Sequence, residues 1–141
     1  MRYREIMTTN PVTLKPEQTV REAADIFIER RIDGAPVLDE EGRLLGLFTK
    51  THLYRCITRD VPYDTLVAEL MERSVITGDP DSIIDDEIYP QVGRLPMVED
   101  GKLVGMVTRT DLARAFFDAL REVTVEFKTI IDSTHNMIVS V

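Results

Sequence analysis

The sequence predicts a mixed α/β (α+β) fold of two pseudo-symmetric β-α-β-β-α copies, packed as one module and followed by a connector helix. The main observation is a repeat: APVLDEEGRLLGLFTKTHL at 35–53 returns as LPMVEDGKLVGMVTRTDL at 95–112. A period of about sixty residues is too long for a solenoid unit and suits two half-domains. Within each copy the apolar pattern changes between alternation and helical spacing. At 141 residues the chain can bury one shared core.

The first copy is predicted at residues 1–60. Asn10-Pro11 forms a turn before a short extended segment at 12–14. Thr19 and Glu22 have the spacing of a capping box. The helix that they begin has an apolar stripe of Val20, Ala23, Ala24, Phe27 and Ile28. Strands at 35–38 and 44–48 form a hairpin with its turn at 39–42, and a second helix runs from about Thr51 to Ile57.

The second copy is predicted at residues 61–121, with a connecting segment at 60–68 and an extended segment at 75–77. Asp79–Ser82 should cap the next helix, which is about one turn shorter than in the first copy and is interrupted by Pro90. We therefore expect that helix to be short and irregular. Strands at 96–98 and 103–107 follow, and then a longer helix. Its apolar face consists of Leu112, Ala115, Phe116, Ala119 and Leu120.

Composition excludes several function classes. The 17 basic and 25 acidic residues give a net charge of −8, which argues against a nucleic acid or an anionic membrane as a direct partner. Cys56 is the one cysteine, so neither a disulfide framework nor a multi-cysteine metal site is expected. Neither a zinc site nor a catalytic triad has its usual parts, and we predict no enzyme activity and no metal site. With no signal peptide and no apolar run of membrane-spanning length, a cytoplasmic location is expected.

Three polar residues follow the last strand of the second copy. Thr108, Thr110 and Asp111 lie where a strand ends and a helix begins, and the free N–H groups of a helix N-terminus suit a phosphate. The Asp111 carboxylate suits the vicinal hydroxyls of a ribose. The alternative is that Thr108 and Asp111 only cap the helix.

The repeated strand-borne proline, hairpin glycine and apolar-Gly-apolar-apolar-Thr pattern resembles the tandem cystathionine-β-synthase-type (CBS) domain pair, or Bateman module. The resemblance covers residues 1 to about 120 and implies a regulatory module that senses an adenosine-containing ligand. It implies no obligatory cofactor; AMP, ADP, ATP or S-adenosylmethionine would be the regulatory ligand. By resemblance, Arg94 binds the phosphates, and an adenine slot is formed around Val12, Ile32 and Asp33.

The equivalent site of the other copy lacks two of these anchors. Thr49 and Thr51 are present, but His52 replaces the ribose-binding Asp111, and Gly34 stands where the second copy has Arg94. A neutral histidine cannot offer the paired acceptors of a carboxylate. We therefore expect either a weaker second site or a histidine that only caps its helix.

The segment 122–141 lies outside the repeat and is predicted as a connector helix followed by the truncated start of a PAS-like domain. Residues 130–139 resemble the entrance to a PAS domain, with extended backbone expected from Met137. A CBS pair that precedes a PAS domain resembles bacterial signalling proteins and transcription regulators, with an output domain at the C-terminal side. The family also pairs helix faces into a homodimer, here those of 53–57 and 112–116. The alternative function is a ligand-free dimerisation module.

Overall fold

The structure is a computed structural model that describes residues 1–84 and 93–139, without the side chains of 123–125 and 134–139. Most of the short, irregular helix expected after Asp81 falls on residues 85–92 and lies outside the described residues.

The first copy has the predicted elements. Helix α1 (Val20–Arg30) is followed by the antiparallel strands β1 (Gly34–Leu38) and β2 (Leu44–Thr49) and by helix α2 (Lys50–Thr58). Thr19 caps α1, because its side chain accepts a hydrogen bond from the backbone N–H of Glu22. The hairpin turn contains Gly42 with φ of +83°, a conformation that favours glycine.

The second copy repeats the hairpin and ends in a much longer helix. Helix α3 (Val67–Leu70) is a single turn, strands β3 (Arg94–Glu99) and β4 (Lys102–Thr108) form the hairpin, and α4 spans Arg109–Val139. The expected change to extended backbone at Met137 is wrong, since α4 continues to Val139. Neither glycine nor proline occurs in 109–139, so nothing in the local sequence ends the helix there.

The extended segment of each copy contributes one bridge rather than a full strand. The Leu14 N–H donates to the Pro36 carbonyl at 2.9 Å, and the Leu38 N–H donates to the Leu14 carbonyl at 3.0 Å. Gly78 makes the same two bonds with β3, each 2.9 Å long. The equivalence of Leu14 and Gly78 extends the internal symmetry beyond the repeated hairpins.

The leading segment of each copy packs on the other copy. Tyr3 is buried in the second core with Leu95 and Val107, whereas Val67 is buried in the first core with Phe27. This exchange interlocks the two halves into one module, although each retains its own cluster of buried side chains. The division at residues 60 and 61 stays a prediction about the sequence repeat.

Backbone hydrogen bonds and two glycines hold the exchanged segments close to the hairpins. Thr8 exchanges N–H···O bonds of 2.9 and 3.0 Å with Met106, and Leu47 exchanges bonds of 2.9 and 2.8 Å with Glu72. A Cβ added to Gly46 would lie 2.5 Å from the Glu72 carbonyl oxygen, and one added to Gly105 would lie 3.1 Å from the Thr8 carbonyl oxygen. Glycine at this repeated position therefore allows a second backbone to approach the strand.

Three residues of the predicted apolar faces lie differently from expectation. Val20, Ala23 and Phe27 of α1 are buried, but Ile28 lies on the flank of that stripe and is 77% exposed, while Ile26 packs against the core. Cys56 and Leu112 were expected on helix faces that pair two chains in a homodimer. Instead, each is buried in the core of its own repeat. Other residues of α2 and α4 are exposed to solvent.

Candidate ligand cleft between the two copies

A cleft of about 360 Å³ lies between the first copy and the second hairpin. Val12, Ile32 and Asp33 line one side, and Arg94 and Thr108 line the other. The remaining lining residues are Thr8, Asn10, Pro11, Arg31, Gly34, Pro36 and Met106. The structure thus brings together five of the seven residues predicted for the main site. They give the cleft an apolar side, a cationic group and a hydroxyl group.

An ion pair connects the two sides of this cleft. The guanidinium of Arg94 donates from Nη2 to Oδ1 of Asp33, a residue of the other copy. This hydrogen bond lowers the pKa of the Asp33 carboxyl below its ordinary value. Asp33 is therefore ionised at neutral pH, and an anionic ligand must compete with it for Arg94.

Gly34 makes room for the Arg94 side chain. A Cβ on Gly34 would lie 2.8 Å from Nε and 2.9 Å from Cζ of Arg94, and 3.1 Å from Cγ2 of Thr49. Gly34 and Arg94 are equivalent positions of the repeat that come together at the interface of the copies. A side chain at position 34 would therefore have to displace the guanidinium end of Arg94, which gives the Gly34/Arg94 asymmetry a packing reason.

Asp111 lies next to the cleft and caps α4. The backbone N–H and the hydroxyl of Thr108 donate to Asp111 Oδ2 at 2.9 and 3.1 Å, and the Asp111 N–H donates to Thr108 Oγ1 at 3.3 Å. Both bonds to the carboxylate use the same oxygen. Thr108 lines the cleft, whereas Thr110 is exposed and, like Asp111, is outside the cleft lining.

His52 occupies the same capping position in the first copy. Its Nδ1 accepts the backbone N–H of Thr49 at 3.0 Å and lies 3.0 Å from the Thr49 hydroxyl. The imidazole stacks on Phe48, with the ring centroids 5.3 Å apart. Thr51 is exposed, and His52 faces a small hollow beside Arg55 and Cys56. The structure does not gather Thr49, Thr51 and His52 around one cleft.

The His52 cap should make stability depend on pH. Burial, followed by the charge of Arg55, lowers the pKa of His52 from its ordinary value of 6.5. Because the unfolded chain binds this proton more tightly, the contribution of His52 to stability is complete above pH 6.5 and is lost as pH falls through the folded pKa. We expect the urea midpoint of a His52→Gln variant to change less between pH 7 and 5 than the midpoint of the parent protein. His135 is present in both proteins. Parallel pH profiles of the two proteins would contradict this role.

Sequence reasoning missed Arg31 as a cleft residue. Arg31 is the C-cap of α1, has the left-handed conformation with φ of 55°, and lines the cleft. A non-glycine residue with positive φ is uncommon, and here it places a second cation beside Arg94 and Asp33. Only the Arg30-Arg31 pair at the helix end gave any signal in the sequence.

A separate groove of about 490 Å³ lies on the outer face of α1 and α2. Its exposed apolar lining includes Ile28, Tyr54, Ile57 and Tyr63. This groove is larger than the interlobe cleft, but it lies away from Arg94 and Thr108. Its apolar character suits contact with another protein surface.

Two absences hold for the described part of the chain. No group of three or more His, Cys, Asp or Glu side chains is placed to hold a metal ion there. Within the same residues, none of the helices is both long and apolar enough to span a membrane.

Comparison with known proteins agrees with this two-copy architecture. The profile of the CBS domain family matches residues 4–59 and 67–118, which together are more than half of the chain. The chain belongs to the CBS domain family. It is 32% identical over 115 residues to the CBS domain-containing protein YhcV of Bacillus subtilis, covering 78% of this chain and 81% of YhcV. It spans between 15% and 41% of the length of three other relatives, including an uncharacterized protein of Methanocaldococcus jannaschii with 31% identity over 79% of this chain.

Solved CBS domain structures have the same fold. A CBS domain pair in complex with 5′-methylthioadenosine and S-adenosyl-L-methionine matches with a TM-score of 0.75 and 27% identity, over 84% of this chain and 98% of that one. CBSX2 from Arabidopsis thaliana has been solved in complex with AMP; it matches with a TM-score of 0.76 and 25% identity, over 84% and 97% of the two chains. Both of these proteins have been solved with adenosine-containing ligands.

Proposed function

We propose that this chain is a regulatory module that binds an adenosine-containing ligand in the cleft between its two copies. The observation that carries the proposal is the cleft itself, in which apolar side chains of one copy face Arg94 and Thr108 of the other. The ligands of the similar CBS pairs, AMP and S-adenosyl-L-methionine among them, share the adenosine group. A ligand that contacts both copies can favour one relative arrangement of them over another.

Each part of such a ligand has a suitable partner. The adenine would lie against Val12 and Ile32, and a phosphate would bind Arg94, whose planar fork can make two charged hydrogen bonds. The ribose hydroxyls would bind Asp111 through Oδ1, since Oδ2 accepts the bonds of the cap. Asp33 would exchange its pairing with Arg94 for a contact with the ligand.

A ligand-free dimerisation module is the second candidate, and the capping contacts favour it. The Thr108–Asp111 and Thr49–His52 pairs have the same geometry, and helix capping alone accounts for both. The exposed apolar groove on α1 and α2 supplies a surface on which a second chain can dock. In this alternative the interlobe cleft has no physiological ligand.

In a longer protein the module would pass its ligand state to an output domain through α4. Thr108 and Asp111 connect the cleft to the first turn of that helix, so a ligand that moves them changes its direction. We include in this proposal the homodimer and a bacterial signalling or transcription regulator as the parent protein. The PAS-like start at the end of the chain stays a prediction.

A thermal-shift panel tests ligand binding. At a hundred times the dissociation constant, a ligand that binds only the folded state stabilises it by about 2.7 kcal/mol. For a chain of this size the melting temperature should rise by roughly 5–10 °C. We expect this with at least one of AMP, ADP, ATP and S-adenosylmethionine, little change with GMP, and a smaller shift for Arg94→Gln. No shift with any adenosine compound would support the ligand-free candidate.

A further inference from the structure

Helix α4 carries a large apolar stripe into solvent. Phe116, Leu120 and Phe127 are 45%, 62% and 63% exposed. The helix has 31 residues and, at 1.5 Å per residue, is about 46 Å long. Most of it extends beyond Leu112, whose side chain belongs to the second core. Because an apolar helical face is stable in water only when it is covered, this stripe calls for a partner.

The spacing of the stripe indicates that the partner is another helix. Between 113 and 134 the residues of the stripe are alternately three and four positions apart, as at the a and d positions of a coiled coil. They are the apolar residues Ala113, Phe116, Leu120, Val123, Phe127 and Ile130, and the next position of the spacing is the hydroxyl-bearing Thr134. The charged residues of this stretch all fall at b, c, f or g: Arg114, Asp118, Arg121, Glu122, Glu126, Lys128 and Asp132. A second copy of the chain has the identical stripe in the identical register.

The apolar surface continues onto the module at the base of α4. Met1 and Ile83 are 58% and 73% exposed and form, with Ala115, Phe116 and Ala119, an open groove of about 220 Å³. In a parallel pair of helices the two grooves meet at the same end, next to the seam. In an antiparallel pair each groove would face the far end of the partner helix. This continuity favours the parallel arrangement.

We propose that α4 pairs with α4 of a second chain as a parallel two-stranded coiled coil over residues 113–134. The area is sufficient. Large exposed apolar side chains lie in or beside the seam: Phe116, Phe117, Leu120, Phe127, Ile130 and Ile131. At about 100 Å² each they would bury about 1,200 Å² in the pair, which reaches the range of specific interfaces. The second repeats of the two chains then lie together at the base of the coiled coil. This contact fixes the orientation of the dimer. This inference does not depend on ligand binding.

Cysteine cross-linking of the full chain tests the pairing. A parallel seam places position 120 opposite itself, whereas position 118 lies on the outer face of the coil. Leu120→Cys should form a disulfide-linked dimer under mild oxidation at least ten times faster than Asp118→Cys. Cys56 is buried and is the same in both variants. Equal rates would overturn the proposal, because both positions are exposed in a single copy.

A second pair of variants separates the seam from chance collision. In the Leu120→Cys background, Phe127→Glu places a charge in the seam and should slow cross-linking at least ten-fold, while Lys128→Glu, at an outward position, should leave the rate unchanged. If both variants cross-link at the parent rate, the coiled coil is not present. Thermal shifts with AMP on the same proteins report the cleft separately, so failure of one proposal is distinguishable from failure of the other.

Discussion

Removal of residues 1–8 is expected to unfold the second copy, although these residues precede the first. Tyr3 is buried in the second core, and Ile6 and Met7 pack against it. At about 1.5–3 kcal/mol for each buried side chain, the loss approaches the 5–15 kcal/mol that stabilises a typical domain. The chain also loses the bonds from the N–H groups of Tyr3 and Arg4 to the carbonyls of Ser82 and Pro80, at 3.2 and 2.8 Å. Urea unfolding followed by circular dichroism measures the effect.

The matched control removes the other end of the chain. Deleting residues 122–141 should leave the secondary structure of the module intact and its ligand affinity within a few-fold, because Phe127 and Ile131 are exposed. If the chain that begins at Thr9 keeps the parent urea midpoint, residues 1–8 do not form part of the second core. If deletion of 122–141 unfolds the module instead, the tail belongs to the core.

Asp111→Ala is expected to weaken the adenosine ligand by roughly 2–4 kcal/mol if two ribose hydrogen bonds to a charged acceptor are lost. The same change removes the cap of α4, which costs about 0.5–2 kcal/mol of stability. Isothermal titration with the compound that gives the largest thermal shift measures the affinity. The titration is run well below the melting temperature of the variant, so that loss of the cap does not appear as loss of binding.

The chain contains its own control for the cap. His52→Ala removes an equivalent capping side chain from the first copy, where Thr49 and His52 pair at 3.0 Å. We expect a similar loss of stability and an affinity within about two-fold of the parent, since no ribose-binding carboxylate is lost. Titration should also give about one tight ligand per chain. An Asp111→Ala variant that binds as well as His52→Ala would show that Asp111 is only a cap.

Part of the candidate site could be predicted before any coordinates, through two different kinds of evidence. Thr108 and Asp111 were identified from their place between a strand and a helix, which is a local property of the sequence. Val12, Ile32, Asp33 and Arg94 came from the family resemblance, and the structure places all four in one cleft. Thr110 was identified in the same way as Thr108 and Asp111, whereas Thr49, Thr51 and His52 were placed by analogy along the repeat. Of these residues, only Thr108 lines the cleft.

The sequence by itself determined the repeat, the two hairpins and the start of α1. Each of these depends on residues close together in the chain: the turn glycines Gly42 and Gly101, strand alternation, and the capping pair of Thr19 and Glu22. Only the tertiary structure decided that the leading segments exchange between copies and that Arg94 pairs with Asp33, 61 residues away. Local patterns show that a segment has an apolar face or a charge to satisfy. Which distant surface satisfies it depends on how the two copies close around each other, and that packing involves the whole chain at once.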